Sequence, residues 1–356
     1  MADTDMENDN VASDQSDDLF EHHRIEIDPG QQALRIDRFL TDRLPNTSRN
    51  KIQNAAIAGS ILVNGKAVKS NYKVKPGDTV SVVFPYPRRE LELIPENIPL
   101  NVVYEDDHIV VLNKQSNLVV HPGYGNYSGT LVNGLIYHFG NLPIPPNPSI
   151  PDEATRPGLV HRLDKNTTGI MVIAKKELAL TVLAKQFFDR TVDRKYVALV
   201  WGDVKEEEGS IEGNIGRSLK NRKVMSVFPD GDFGKHAKTH YKVIERFGYV
   251  TFIECKLETG RTHQIRVHLK YLGHPLFNDN EYGGDKIVKG LSSSKYNQFI
   301  NNCFKLLPRH ALHAKSLGFE HPHTGKKVHF DSEIPKDMEA VLKKWRVYAK
   351  NSINKA

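Results

Sequence analysis

The sequence predicts an α+β protein with a mixed, largely antiparallel central sheet, preceded by a small separate module. Three observations predict it. Strand-like runs such as "RKYVALVWG", "THYKVIERF" and "YVTFIECKLETG" outnumber helices and lack the strict β-α alternation of a parallel sheet. A Pro-rich, charged stretch, "FPYPRRELELIPENIPL", breaks the pattern and reads as a linker. Charge is unevenly divided: the first 21 residues carry eight acids and no Lys or Arg, so the rest of this +6 chain stands at +14.

These features predict a disordered acidic tail over 1–21, a module over 22–85, a linker over 86–99 and the larger domain over 100–350. The basic body suits a nucleic-acid or other polyanionic partner. Two cysteines without a CxxC spacing fit a reducing compartment. The start "MADTDMENDN" has neither the basic nor the apolar region of a signal peptide, and no apolar run is long enough to span a bilayer. The expectation is a soluble cytoplasmic monomer without a membrane partner.

Within the module, "RIDRFLTDRL" sets Ile36, Phe39, Leu40 and Leu44 at helical spacing. In "NTSRNKIQNAAIAGS", Ser48 is the expected N-cap and Gly59 the stop. Arg49 and Lys51 fall in that helix's first turn, where their charge opposes the dipole. "ILVNGKAV" reads as a hairpin turning at Asn64-Gly65, and "KPGDTVSVVF" as a turn and strand. Two short helices, basic at their starts, followed by a small hairpin resemble the αL RNA-binding module named after a ribosomal small-subunit protein. A basic helix face of this kind can dock on RNA phosphates. The candidate contacts are Arg35, Arg49, Lys51, Lys66, Lys69 and Lys73; the bland reading of each is solvated surface charge.

In the larger domain, "NVVYEDDHIVVLNKQSNLVVHP" reads as strand, acidic turn, strand, turn. "TLVNGLIYHF" is helical, with Leu131, Leu135, Ile136 and Phe139 on one face, and "KELALTVLAKQFFDRTV" is an amphipathic helix. Six prolines mark "GNLPIPPNPSIPDEATRPG" as a mobile loop. "TGRTHQIRVHLKYLGHP" opens with a turn and enters a helix. "HALHAKSLGFEHPHTGKKVHFD" supplies two more strands and "PKDMEAVLKKWRVY" a closing helix.

Several chemistries find no support. The histidines around His310, His313, His321 and His323 match no metal-ligand spacing, and no metal is expected. Phosphate-cradling Gly-rich signatures are missing, so no nucleotide cofactor is indicated. Gly-x-Ser-x-Gly is missing as well.

"GLVHRLDKNTTGIMVIAK" is more informative. Asp164 is a lone acid among His161, Arg162 and Lys165, at the mouth of an apolar strand. Opposite charge nearby favours the ionised carboxylate, a poor acid at neutral pH but a possible nucleophile. Thr167, Thr168 and Gly169 suggest a tight turn stabilised by hydroxyls. Chemistry alone leaves a salt-bridged turn and a nucleophile both open. "TGRTHQIRVH" concentrates Arg261, His263, Gln264, Arg266 and His268 with no acid beside them, so it calls for an anion: a phosphate, or Asp164. Tyr196, between a basic pair and an apolar run, is either core or an aromatic face for a base.

"HRLDKNTTG", "RKYVALVWG", "LETGRTHQIRVHLKYLGHPLFND", "VVHPG", "TLVNGL" and "LHAKSLGFEHPHTG", in their order here, resemble the motifs of the RluA/RluD-type pseudouridine synthases. The resemblance runs from about Leu93 to Ala349, and the module in front matches members acting on large-subunit ribosomal RNA. "GLVHRLDKNTTGIMVIAK" is most similar to the branch that modifies the helix 69 stem-loop. The Pro-rich segment, the tail and a loop around Lys286 to Asn302 depart from it. The resemblance implies the pseudouridine synthase fold, Asp164 as catalytic aspartate, Tyr196 as active-site tyrosine and Arg266 as active-site arginine. It implies that Arg162 helps expel the target base, and that no cofactor is needed, since the product is an isomer. Arg261 and His263 join the expected RNA contacts. The implied partner is large-subunit ribosomal RNA or the assembling large subunit. A synthase for other ribosomal or transfer RNA sites, a non-catalytic RNA-binding assembly factor and a hydrolase using Asp164 are the competing readings.

Overall fold

A computed structural model describes residues 19–44, 47–84, 93–123, 125–144, 156–221 and 224–353. The chain divides into two compact units, the first reaching Glu92 and the second beginning at Leu93.

The first unit contains β1 (Phe20–Glu26), α1 (Ile36–Arg43), α2 (Arg49–Ile57), β2 (Ile61–Val63), β3 (Lys66–Ala67) and β4 (Thr79–Phe84), with sheet order β1-β4-β2-β3. Ile36, Phe39 and Leu40 of α1 are buried with Ile52 of α2 and Val63, Val80 and Val82 of the sheet. Ser48 caps α2 by accepting from the Lys51 N–H. Asn64 and Gly65 both take positive φ, as the tight turn between β2 and β3 requires. Strand β1 was not expected, and it begins inside the stretch read as tail. "FEHHRIE" has little apolar alternation, yet its backbone pairs antiparallel with β4. Residues 1–18 of the tail lie outside the described residues.

The second unit contains β5 (Val102–Glu105), β6 (Ile109–Lys114), α3 (Leu131–Phe139), β7 (Thr168–Ala174), α4 (Glu177–Asp189), β8 (Asp193–Trp201), β9 (Glu208–Arg217) and β10 (Met225–Phe228). There follow β11 (Lys235–Arg246), β12 (Val250–Leu257), α5 (Gln264–Tyr271), α6 (Ser294–Leu306), β13 (Leu312–Glu320), β14 (Lys327–Asp331) and α7 (Lys336–Ile353). The sheet runs β10-β9-β11-β12-β8-β13-β7-β6-β5, with β14 also on β13. Among the described strands only β13 and β7 pair in parallel, so the sheet is mixed and largely antiparallel.

Strand alternation divides the core. Tyr196, Ala198 and Val200 of β8 pack on one face with Ile265 and Leu269 of α5 and Leu131 and Leu135 of α3. Val197, Leu199 and Trp201 pack on the other with Ile300 of α6 and Met338, Leu342 and Trp345 of α7. α4 covers the β6–β7 region through Ala179, Leu180 and Leu183.

Three elements of this unit escaped the sequence. β9 is broken by glycines, which weaken a strand signal, and β10 is only four residues long. Gly209 is needed there, because a Cβ would lie 2.6 Å from the Tyr241 hydroxyl. The expected loop over 286–302 instead contains the start of α6, capped by Ser293 and burying Tyr296, Ile300 and Cys303 at helical spacing. Leu93 and Ile98, within the expected linker, pack with Leu100 on the larger unit's core. Most of the Pro-rich loop, residues 145–155, lies outside the described residues. No helix among the described residues is long and apolar enough to cross a membrane.

Candidate active site

Asp164 lies on the loop leading into β7, and hydrogen bonds from Thr167, Lys114 and Arg309 fix that loop. The Thr167 N–H donates to the Asp164 carbonyl at 3.1 Å, closing a tight turn. Lys114, at the end of β6, donates its three N–H groups to the carbonyls of Gln115, Leu118 and Lys165 at 2.8, 2.9 and 3.0 Å. Burial lowers its pKa to about 7. Arg309 Nη1 donates to the Asn166 carbonyl at 3.3 Å. Contrary to the expectation of a turn stabilised by hydroxyls, the threonine hydroxyls do not brace the turn itself; they reach the strand-β13 side. Thr167 Oγ1 meets His310 Nε2 at 2.9 Å and Thr168 Oγ1 meets His313 Nδ1 at 2.8 Å. Gly169 follows with φ of 118°, where a Cβ would strike the Ala314 carbonyl oxygen at 2.2 Å. Only glycine lets β7 and β13 come this close.

The facing wall is the turn before α5. His263 holds a left-handed backbone at the helix start, a costly conformation for a non-glycine residue. Gln264 pins this turn from inside: Oε1 accepts from Thr259 Oγ1 and the Arg261 N–H, and Nε2 donates to the Lys238 carbonyl. Of the donors expected to face an anion, Gln264 and His268 are therefore committed to structure, His268 through Thr239 Oγ1 at 2.9 Å.

Arg266 lies within the first turn of α5 and is 3% exposed. Its Nη1 is 3.3 Å from Asp164 Oδ2. Nε and Nη2 clamp Asp279 at 2.8 Å each, and Nη2 also pairs with Glu281. Asp279 is wholly buried and was not anticipated as a partner. Burial opposes the charge on Arg266, but Asp279, Asp164 and Glu281 outweigh it and raise its pKa. Burial likewise opposes ionisation of Asp164, yet the fields of His263, Arg266, His310 and Arg162 prevail and hold the carboxyl below its usual range. His263 Nε2 lies 3.9 Å from Asp164 Oδ1. Burial lowers the His263 pKa, which leaves Arg266 as the permanent cation beside Asp164 at neutral pH.

Asp164, Arg266, Tyr196, His263, Arg162 and Arg261 all line one cleft of about 400 Å³. Tyr196 is nearly buried, and burial raises its pKa, with Arg194 lowering it and Asp164 raising it. Arg162 is exposed, with Nη1 3.1 Å from His121 Nε2. His161 is structural: its Nε2 accepts from the Val172 N–H and its ring stacks on Phe187. The cleft also holds Arg190, Arg194 and Phe188, which the sequence reading passed over. Phe188 is 85% exposed at the C-terminal end of α4. Arg194 shares a strand face with Tyr196, two positions on, and that spacing was the available signal. Among the described residues no group of three His, Cys, Asp or Glu could hold a metal ion.

In the first unit, Arg35 and Arg49 both turn to the buried carboxylate of Asp37. Arg35 approaches it through Nε and Nη2 at 3.1 and 2.9 Å, Arg49 through Nε at 3.0 Å and Gln53 through Nε2 at 2.9 Å. Arg35 and Arg49 nevertheless stay about half-exposed. Lys66 is exposed on β3 and Lys51 half-buried on α2.

Comparison with known proteins agrees with this architecture. The family model described as RNA pseudouridylate synthase matches residues 108–271, and that of the S4 domain matches residues 34–80. An uncharacterized RNA pseudouridine synthase of Chlorobaculum parvum is 47% identical, covering 90% of this chain and 97% of that protein. A ribosomal large subunit pseudouridine synthase D of Vibrio cholerae is 40% identical, covering 89% and 94%. The solved structure of human RNA pseudouridylate synthase domain containing 4 shares the fold, with a TM-score of 0.50 and 24% identity over 69% of this chain and 93% of that one. With the cleft, the two-unit architecture and relatives this similar over nearly their whole length, the chain belongs to the RNA pseudouridine synthases, isomerases of the type that carries an S4 domain before the catalytic unit.

Proposed function

We propose that this protein converts specific uridines of large-subunit ribosomal RNA to pseudouridine, with the helix 69 stem-loop as target and Asp164 as nucleophile. The observation that carries the reading is the ionised Asp164 carboxylate in the cleft, 3.3 Å from Arg266 and sharing that cleft with Tyr196. The names of relatives such as the Vibrio cholerae protein support the choice of large-subunit RNA.

The reaction breaks the N1–C1′ bond of uridine, turns the uracil, joins C5 to C1′ and moves the C5 proton to solvent while N1 gains one. Atoms and electrons balance without redox chemistry. Asp164 cannot reach a stacked uridine, so the nucleotide must flip out at a cost of a few kcal/mol, least in a loop. Arg162, exposed at the cleft, fills the vacated space, and phosphate contacts offset the cost. Asp164 then attacks C1′ or C6, or takes the C2′ proton; each route starts from the ionised carboxylate that Arg266 orients. Tyr196 lies under the uracil. While Asp164 is charged it raises the phenol's pKa, and consuming that charge in a covalent bond removes the effect. The Tyr196 hydroxyl thereby ionises more readily late in the reaction, when C5 must lose its proton. The S4 domain offers its half-exposed Arg35 and Arg49, with Lys51 and Lys66, to RNA phosphates.

The test is pseudouridine mapping of ribosomal RNA from cells lacking the protein, restored with wild type or Asp164→Asn. Loss of helix 69 pseudouridines, regained only with wild type, is the expected result. Loss at other sites overturns the target, and full restoration by Asp164→Asn overturns the nucleophile.

A further inference from the structure

Arg194 is a second buried guanidinium in the cleft, and unlike Arg266 it has no counter-ion among the described residues. It is 7% exposed. Its Nε is sealed from solvent without a hydrogen-bond partner. Among the described residues no carboxylate pairs with it; the Phe187 ring lies 5.5 Å from the guanidinium carbon. Opposite lies the backbone of Gly260, where a Cβ would stand 3.0 Å from Arg194 Nη1. Glu258, the other acid lining the cleft, is held by His240 at 2.6 Å.

A buried cation without a partner is costly, and the cost falls when an anion arrives. Arg190 and Arg261 line the same cleft, and neither forms a salt bridge among the described residues. Three guanidiniums therefore converge where one carboxylate, Asp164, is already satisfied by Arg266. Uracil is neutral, and its carbonyls would leave the charge uncompensated. The backbone of a flipped nucleotide supplies an anion that a guanidinium grips with two parallel hydrogen bonds.

We propose that Arg194 is the receptor for a phosphodiester flanking the flipped uridine, with Arg190 and Arg261 around it. The assignment rests on the proposed RNA-modifying function and adds to it a phosphate subsite that fixes the nucleotide over Asp164. Arg194 touches substrate; it takes no part in bond exchange.

The test uses the full-length protein and a synthetic stem-loop containing a uridine that wild type converts. The phosphodiester on either side of that uridine is replaced by a neutral methylphosphonate, with 2′-O-methyl protection. Arg194→Gln is expected to weaken binding of the unmodified RNA by roughly 10-fold or more, the size of a lost charged hydrogen bond. One of the two methylphosphonates weakens wild type by a similar factor, and combining it with Arg194→Gln adds little. Arg194→Lys recovers part of the loss. Thermal melting checks that the variants fold, and the methylphosphonate arm on wild type stands regardless. Additive losses, or no effect of either methylphosphonate on wild type, overturn the assignment while leaving the function intact. Failure of wild type to convert any uridine of large-subunit RNA overturns both.

Discussion

Arg266 reaches Asp164 with Nη1 at 3.3 Å while its remaining nitrogens are held by Asp279 and Glu281. The partner of Asp164 is thus aimed from behind. A guanidinium bonded only to Asp164 could follow it as it moves; one clamped at 2.8 Å on the far side cannot.

Asp164→Asn should abolish isomerisation while leaving the melting temperature within a few degrees of wild type. Asn keeps the shape, and Arg266 keeps Asp279 and Glu281. Carbodiimide-based mapping of the product reads the loss. Product formation at more than a trace rate would argue that Asp164 is only a structural ion-pair partner.

Asp279→Asn should cost about 3 kcal/mol of stability, as expected for breaking a buried ion pair from one side. Turnover should fall more than KM changes, because binding contacts remain. The acid limb of the rate–pH profile should also move up. Asp164 works ionised, its activity is lost as pH falls through its folded pKa, and a looser Arg266 lets burial push that pKa upward. An unmoved limb would show that the clamp does not act through Asp164.

Tyr196→Phe should keep RNA affinity and slow turnover, since the ring stays and the hydroxyl that assists proton removal goes. Single-turnover kinetics against binding separate the two. An unchanged rate would restrict Tyr196 to stacking.

The catalytic unit should be acid-labile earlier than its carboxylates suggest. Burial lowers His268 and His313 to about 4 and His310 to about 3. Between the ordinary histidine value and these, the unfolded chain binds protons that the native one refuses. Stability then falls with acid by up to about 4 kcal/mol per pH unit for three groups. Denaturant melts from pH 7 to 4 test this; a flat profile would mean that the buried histidines protonate in place.

Asp37→Ala should loosen the S4 domain. It removes the acceptor that Arg35, Arg49 and Gln53 share, leaving two guanidiniums without their anchor. RNA binding should weaken with chemistry on bound RNA retained. Equal affinity would show that these arginines are not used by RNA.

Much of this was legible in sequence. Periodicity located α1, α4 and α7, and ordered motifs brought Asp164, Tyr196 and Arg266 to one cleft. Hidden were contacts that depend on what faces what. "HQIR" looked like donors in search of an anion, but Gln264 braces its own turn and Arg266 answers chiefly to Asp279. Nothing in "VVLNK" announces that Lys114 ties the Asp164 loop, through the Lys165 carbonyl, to the carbonyls of Gln115 and Leu118. β9 was obscured by glycines that the sheet requires for close approach.

Strand β13 lies between β8 and β7, and its parallel register with β7 seats Ala314 against Gly169. A nascent chain that has not yet released Leu312 from the ribosome holds the motif around Asp164 but has no strand to join its sheet halves. The inner edges of β7 and β8 stay open, and Thr167 and Thr168 await His310 and His313. Products terminated before β13 should therefore be inert, sticky and readily degraded, so this RNA-modifying enzyme acquires its activity only once that strand has been made.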